Sequence, residues 1–145
     1  MKKMKVIFLV TLSLLVISCS SSDNNDDSSS NTSITLADIT GVWDATTTEN
    51  QQTDETYSII EENGTVTAYD YQGDSFDNGA NCYIKETLSL QDMGDGIFKL
   101  TDSENETFNF LAILSGDELT LKDGDTTLIL TKTTRLESDF SPLCS

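Results

Sequence analysis

The sequence predicts an all-β domain, an eight-stranded antiparallel up-and-down barrel that follows a leader and a polar linker. From about residue 34 onward the chain shows no long apolar helical stripe, and the whole sequence holds a single proline, Pro142. It shows instead short runs rich in Thr, Val, Ile, Tyr and Phe, parted by turn residues, which is strand composition. Two of the breaks, Asn63-Gly64 and Asp123-Gly124, carry residue pairs that accept the positive φ angles of a tight type I′ hairpin.

The first segment is the leader. Met1-Lys2-Lys3-Met4-Lys5 is a short basic start, and residues 6–17 form an apolar run broken by Thr11 and Ser13. A mature membrane-spanning helix needs about 20 apolar residues, so a charged start before so short a run reads as a secretory signal over residues 1–18. The run ends in Leu15-Val16-Ile17-Ser18-Cys19, which resembles the lipobox of bacterial lipoproteins. That resemblance implies a diacylglycerol on the Cys19 thiol, cleavage just before it, and a membrane as partner through the lipid. The alternative is an ordinary signal peptide that happens to contain a cysteine.

Residues 19–33 follow as a linker of Ser, Asp and Asn, too polar to bury a core. The segment suits a flexible tether. Its early acidic residues, beginning at Asp23, resemble the export signal that carries some Gram-negative lipoproteins to the outer face of the outer membrane. Display on the cell surface is therefore expected, with the periplasmic face as the alternative.

Loss of the leader changes the charge balance. The chain carries 8 basic and 25 acidic residues, and Lys2, Lys3 and Lys5 leave with the signal. What remains has 5 basic against 25 acidic residues, a net charge of −20. Such a surface repels nucleic acid and anionic headgroups, which excludes both as partners.

The third segment, residues 34–145, is one domain's length of chain. Strands are expected at 42–48, 55–61, 65–72, 82–90, 97–101, 107–114, 118–122 and 126–133. Cys82, Ile84, Leu88 and Leu90 fall on one face of their run; Phe108, Phe110, Ala112 and Leu114 do so in theirs, and Leu119 and Leu121 in theirs. Between 65 and 72 the pattern leaves the inward face open, because Val66 and Ala68 oppose Tyr69 and Tyr71. Strands joined in sequence by hairpins form a meander, and closing it removes both exposed edges.

Leu36-Ala37-Asp38-Ile39-Thr40-Gly41-Val42-Trp43 resembles the start of the first strand in the lipocalin-like family, whose motif is Gly-x-Trp. The resemblance covers residues 36–133, is closest to small domains of this kind on bacterial lipoproteins, and implies a short helical turn before Gly41. It also implies that Trp43 plugs the closed end of the barrel. A second family motif is absent, which leaves streptavidin-like and fatty-acid-binding-like barrels open. Cys82 and Cys144 remain as an even pair in an oxidising compartment. A bridge between them would resemble the tail-to-barrel disulfide of many lipocalins. A buried Cys82 with a free Cys144 is the alternative.

The chain contains no histidine, which removes Ser-His-Asp and Cys-His catalysis and any imidazole metal site. The acidic residues form no recognisable catalytic motif, and Asp92, Asp95, Asp123 and Asp125 lack EF-hand spacing and suit hairpin turns better. A non-enzyme without cofactor or metal is expected. Alternation places Glu86 on the face of Ile84 and Leu88, as a candidate ligand contact or a residue near the barrel mouth.

Up-and-down order assigns the connections 47–54, 73–81, 102–106 and 123–125 to one rim, opposite Trp43. Long loops on a rigid scaffold are where binding residues concentrate. Tyr69, Tyr71 and the loop residue Phe76 join Glu86 as candidate ligand contacts. The expected function is binding of a small apolar or amphipathic molecule in the barrel. The alternative is an interaction module or inhibitor that docks a protein partner at the envelope.

Overall fold

The computed structural model describes residues 33–75, 79 and 81–145. The leader, Cys19, the linker through Thr32, and Phe76 lie outside the described residues. A 3-10 turn, Leu36–Ile39, leads into β1 (Gly41–Asp44), β2 (Thr47–Glu49), β3 (Gln52–Asp54), β4 (Thr56–Ile60) and β5 (Thr65–Tyr71). Then come β6 (Tyr83–Gly94), β7 (Ile97–Thr101), β8 (Thr107–Ser115), β9 (Glu118–Asp123), β10 (Thr126–Thr133) and a second 3-10 turn, Glu137–Asp139. Eight strands close into an antiparallel barrel in the order β1-β10-β9-β8-β7-β6-β5-β4, and β2 pairs with β3 as a separate ribbon.

Two expected boundaries shift for local reasons. The strand expected at 42–48 stops at Asp44, and the expected rim loop is instead the β2–β3 ribbon. Asn50 and Gln51 turn that ribbon with φ of 51° and 68°, the double positive φ of a type I′ turn, which the sequence pair Asn-Gln does not advertise. The strand expected at 82–90 runs on through Gly94, so the turn contracts to Asp95-Gly96, both at positive φ, with a bulge between Asp92 and Gly94.

Register fixes which side chains look inward. Val66 pairs with Leu88 and Ala68 with Glu86, and residues directly opposite share a face. Val66 is buried with Trp43, Ile60, Leu90, Phe98, Ala112, Leu119 and Leu130 in one core. The open question in β5 is thus settled by its neighbours: Val66 and Ala68 look in, Tyr69 and Tyr71 look out. Of the expected inward rows on β6, β8 and β9, Leu88, Leu90, Phe110, Ala112, Leu114, Leu119 and Leu121 belong to this core or pack against it. Cys82, by contrast, lies before β6 and bonds to Cys144 instead.

One end of the barrel is sealed. Trp43 is fully buried and its indole Nε1 donates to the Ile39 carbonyl at 2.8 Å, so the only polar atom of the plug is satisfied by the 3-10 turn beneath it. The Asp38 carboxylate accepts from the Thr35 amide at 2.8 Å and the Thr35 hydroxyl at 2.7 Å. Those bonds hold the Asp38 carboxyl below the usual range and fix the start of the turn. Gly41 enters β1 at φ +141°, a region closed to L side chains. Gly64 in the β4–β5 turn has φ +84°, and a Cβ there would lie 2.3 Å from the Leu90 carbonyl oxygen.

A second apolar cluster lies on the outside. Tyr57, Tyr69, Tyr83 and Phe140 are buried together, with Val42, Ile59 and Tyr71 packed against them. The C-terminal segment crosses β4, β5 and β6 there, and Phe140 stacks on Tyr69 at 4.5 Å between ring centroids. Leu143 bridges Tyr83 in parallel, and a Cys82–Cys144 disulfide joins the segment to the residue just before β6. Burying aromatic rings on the outer face in this way gives the barrel a second core that a bare up-and-down meander lacks.

Candidate functional site: the open end of the barrel

The connections after β1, β5, β7 and β9 gather at the end opposite Trp43. Two backbone amides tie the largest of them together. Thr53 N–H donates to Ser75 Oγ at 2.6 Å, and Glu55 N–H donates to Asp74 Oδ2 at 2.6 Å. The β7–β8 loop is held by Asp102, whose Oδ1 accepts from the amides of Glu104 and Glu106 at 2.9 and 2.8 Å. These bonds fix the described residues of those connections.

The interior below the rim divides into two halves. At the sealed half, Trp43, Phe98 and Leu119 have no exposed surface and form a solid floor. Nearer the rim, Ile84, Leu88, Leu100, Phe108, Phe110, Leu121 and Leu128 also point inward by register, yet each remains only half-buried. A side chain that points inward from a strand paired on both edges is screened from outside, so its remaining surface faces the lumen. These apolar side chains are thus less completely buried than the floor beneath them.

Polar groups sit above those side chains. Glu86 faces inward and its Oε1 accepts from the Ser103 hydroxyl at 2.9 Å, so the carboxylate joins the wall of β6 to the β7–β8 loop. Ser58 and Asp70 share the inward face with Ala68, and Asp70 Oδ2 accepts from Gln72 Nε2 at 2.9 Å. Burial pushes the Asp54 carboxyl above the usual range; the Thr56 hydroxyl at 3.2 Å opposes this and the charge of Asp74 adds to it. The mouth carries acidic side chains above and apolar ones below.

The sequence-predicted residues separate in space. Glu86 reaches the lumen, and Trp43 and Gly41 stand at the sealed end. Tyr69 and Tyr71 do not join Glu86. Tyr69 lies under Phe140 with its hydroxyl donating to Glu137 Oε1 at 2.9 Å, and the Tyr71 hydroxyl donates to Asn81 Oδ1 at 3.2 Å. Their place in the outer cluster follows from β5 parity, since Val66 and Ala68 take the inside. The residues that sequence reasoning missed are Leu100, Leu128 and the outer partners of Phe140. A signal for the latter existed: Tyr57, Tyr69, Tyr71 and Tyr83 fall at alternating positions of consecutive strands.

At the sealed end, Ser33, Ile34, Thr35, Asp38 and Leu114 line a shallow recess of about 420 Å³. Among the described residues, no cluster of three or more His, Cys, Asp or Glu side chains is placed to hold a metal ion. No family model, no curated protein and no solved structure matches this chain.

Proposed function

We propose that the chain is a lipid-anchored envelope protein, of lipocalin-like type, whose barrel takes a small apolar or amphipathic ligand through its open end. The observation that carries this reading is the upper lumen: inward Leu88, Leu100, Phe110, Leu121 and Leu128 keep accessible surface above a closed floor. A barrel meant only as a scaffold gains stability by filling that space, because unfilled contacts forfeit packing energy. The acidic collar of Asp70 and Glu86 would orient the polar end of the ligand outward. The lipobox at Leu15–Cys19 and the Gly41–Trp43 motif supply the anchor and the family likeness.

Two experiments test the two halves of the proposal. Uptake of a neutral naphthylamine probe by the purified chain should be saturable. It should fall sharply in Ala68→Trp, which places an indole in the lumen where Ala68 is half-buried. Equal uptake by that variant, or none by the wild-type chain, overturns the ligand site and leaves the interaction module. Cys19→Ala should abolish incorporation of labelled palmitate; continued labelling overturns the anchor.

A further inference from the structure

The outer face of β7–β10 is unlike the rest of this molecule. Its outward positions, taken by alternation, are Ile97, Lys99 and Thr101 on β7 and Thr107, Asn109, Leu111, Ile113 and Ser115 on β8. They continue with Glu118, Thr120 and Lys122 on β9 and Thr127, Ile129, Thr131 and Thr133 on β10. Glu118 is the single carboxylate among them, on a chain with 25 acidic residues. At the centre Ile97, Leu111, Ile113 and Ile129 are 43%, 40%, 41% and 52% exposed. Ile97 stands opposite Leu111, and Ile113, Thr120 and Ile129 form one row across three strands. An apolar centre with one carboxylate, Glu118, and two lysines, Lys99 and Lys122, around it is poor in negative charge and has the apolar middle of an interface core.

We propose that this face binds a second copy of the chain in an isologous dimer. Charge selects the occupant. Two bodies of the same strong negative charge repel wherever carboxylates meet, and this is the face where they do not. The pattern is also its own complement. On β9, Lys122 and Glu118 lie at equal distances on either side of Thr120. A two-fold axis laid along the row Ile113–Thr120–Ile129 sets Lys122 of one copy on Glu118 of the other, twice per dimer. It also sets Ile113 on Ile113, Ile129 on Ile129, and Thr127 on Thr131. Within one copy, four residues of strand hold Lys122 and Glu118 roughly 13 Å apart, and neither takes part in an ion pair among the described residues.

Sedimentation of the whole chain in non-ionic detergent, over a wide concentration range, tests the proposal. The wild-type chain should show a concentration-dependent dimer. Ile129→Glu, which puts like charges on the axis, should remove it. Lys122→Glu and Glu118→Lys should each self-associate about tenfold more weakly, because each turns two attractions into repulsions. An equimolar mixture of those two variants should pair more tightly than either alone, since every contact in the mixed dimer joins opposite charges. A folding defect cannot produce that rescue. A mixture no tighter than its components overturns the dimer. So does a wild-type chain that stays monomeric throughout; if that monomer binds phosphatidylcholine vesicles through Ile113 and Ile129, the face belongs to a lipid surface.

Discussion

The Tyr69 hydroxyl donates to Glu137 Oε1 at 2.9 Å across 68 residues of sequence. Lys85 Nζ meets the same oxygen at 2.9 Å. Together they pin the C-terminal segment to β5 and β6. The Lys85 ammonium and the Tyr69 hydroxyl hold the Glu137 carboxyl below its ordinary range. A depressed carboxylate stabilises the fold above its unfolded pKa of about 4.3, and that contribution is lost as pH falls through the folded value. Glu137→Gln should raise hydrogen exchange across residues 134–143 at neutral pH while β7–β10 stay protected. Removing Phe140 goes further: Phe140→Ala should lower stability by about 3 kcal/mol, the low end for a buried phenylalanine, read as a drop in the urea midpoint.

The Cys82–Cys144 bridge closes a loop with a sequence separation of 62. Chain-entropy arithmetic gives about 4 kcal/mol for a loop of that length. Cys82→Ser or Cys144→Ser should therefore lose roughly 2–5 kcal/mol by denaturant titration. Peptide mapping without reduction should recover the linked pair from protein purified from its own host.

Trp43→Ala should cost roughly 3–5 kcal/mol. It deletes the floor of the barrel and the Nε1 bond to Ile39 together. Trp43→Phe should keep most of the packing but leave the Ile39 carbonyl without that donor. Equal denaturation midpoints for wild type and Trp43→Ala would rule out the plug.

Alkaline pH should loosen the outer cluster. Burial, first, and then the bond to Glu55 and the charges of Asp44 and Glu55 push the Tyr57 hydroxyl up to about 12, against the opposing Arg135 guanidinium. An unfolded tyrosine ionises near pH 10. The group's stabilisation is complete below about pH 10 and disappears as pH climbs through about 12. Tyr69 shifts in the same direction. Unfolding free energy should thus decline between about pH 10 and 12, with a shallower decline in Tyr57→Phe.

Barrel topology was legible because turn chemistry and alternation agree along most of the chain. Asn63-Gly64, Gly116 and Gly124 mark hairpins, although Asn63 and Asp123 do not take the positive φ of the expected type I′ turn and only their glycines do. The alternating rows of β6, β8 and β9 point to one interior. The failures have physical causes. In β5 both faces are apolar because both are buried, Val66 inside and Tyr69 under Phe140, so periodicity alone could not name the inner face. The tyrosines looked like ligand contacts because aromatic side chains near a rim usually suggest one. What claimed them was Phe140, more than 60 residues away in sequence. Glu86 was placed correctly since parity with Leu88 and Leu90 determines its side of β6. The partial burial of Leu100 and Leu128 was beyond sequence reasoning, because it depends on closure of the whole ring.

The external aromatic cluster also makes the domain intolerant of clipping. The ring of eight strands is complete by Thr133, so a chain shortened before Phe140 keeps every barrel strand. It would nevertheless bare Tyr57, Tyr69 and Tyr83 as a contiguous aromatic slab on the side of the barrel. Loss of the last dozen residues would thereby leave every barrel strand in place and an exposed aromatic face on its side.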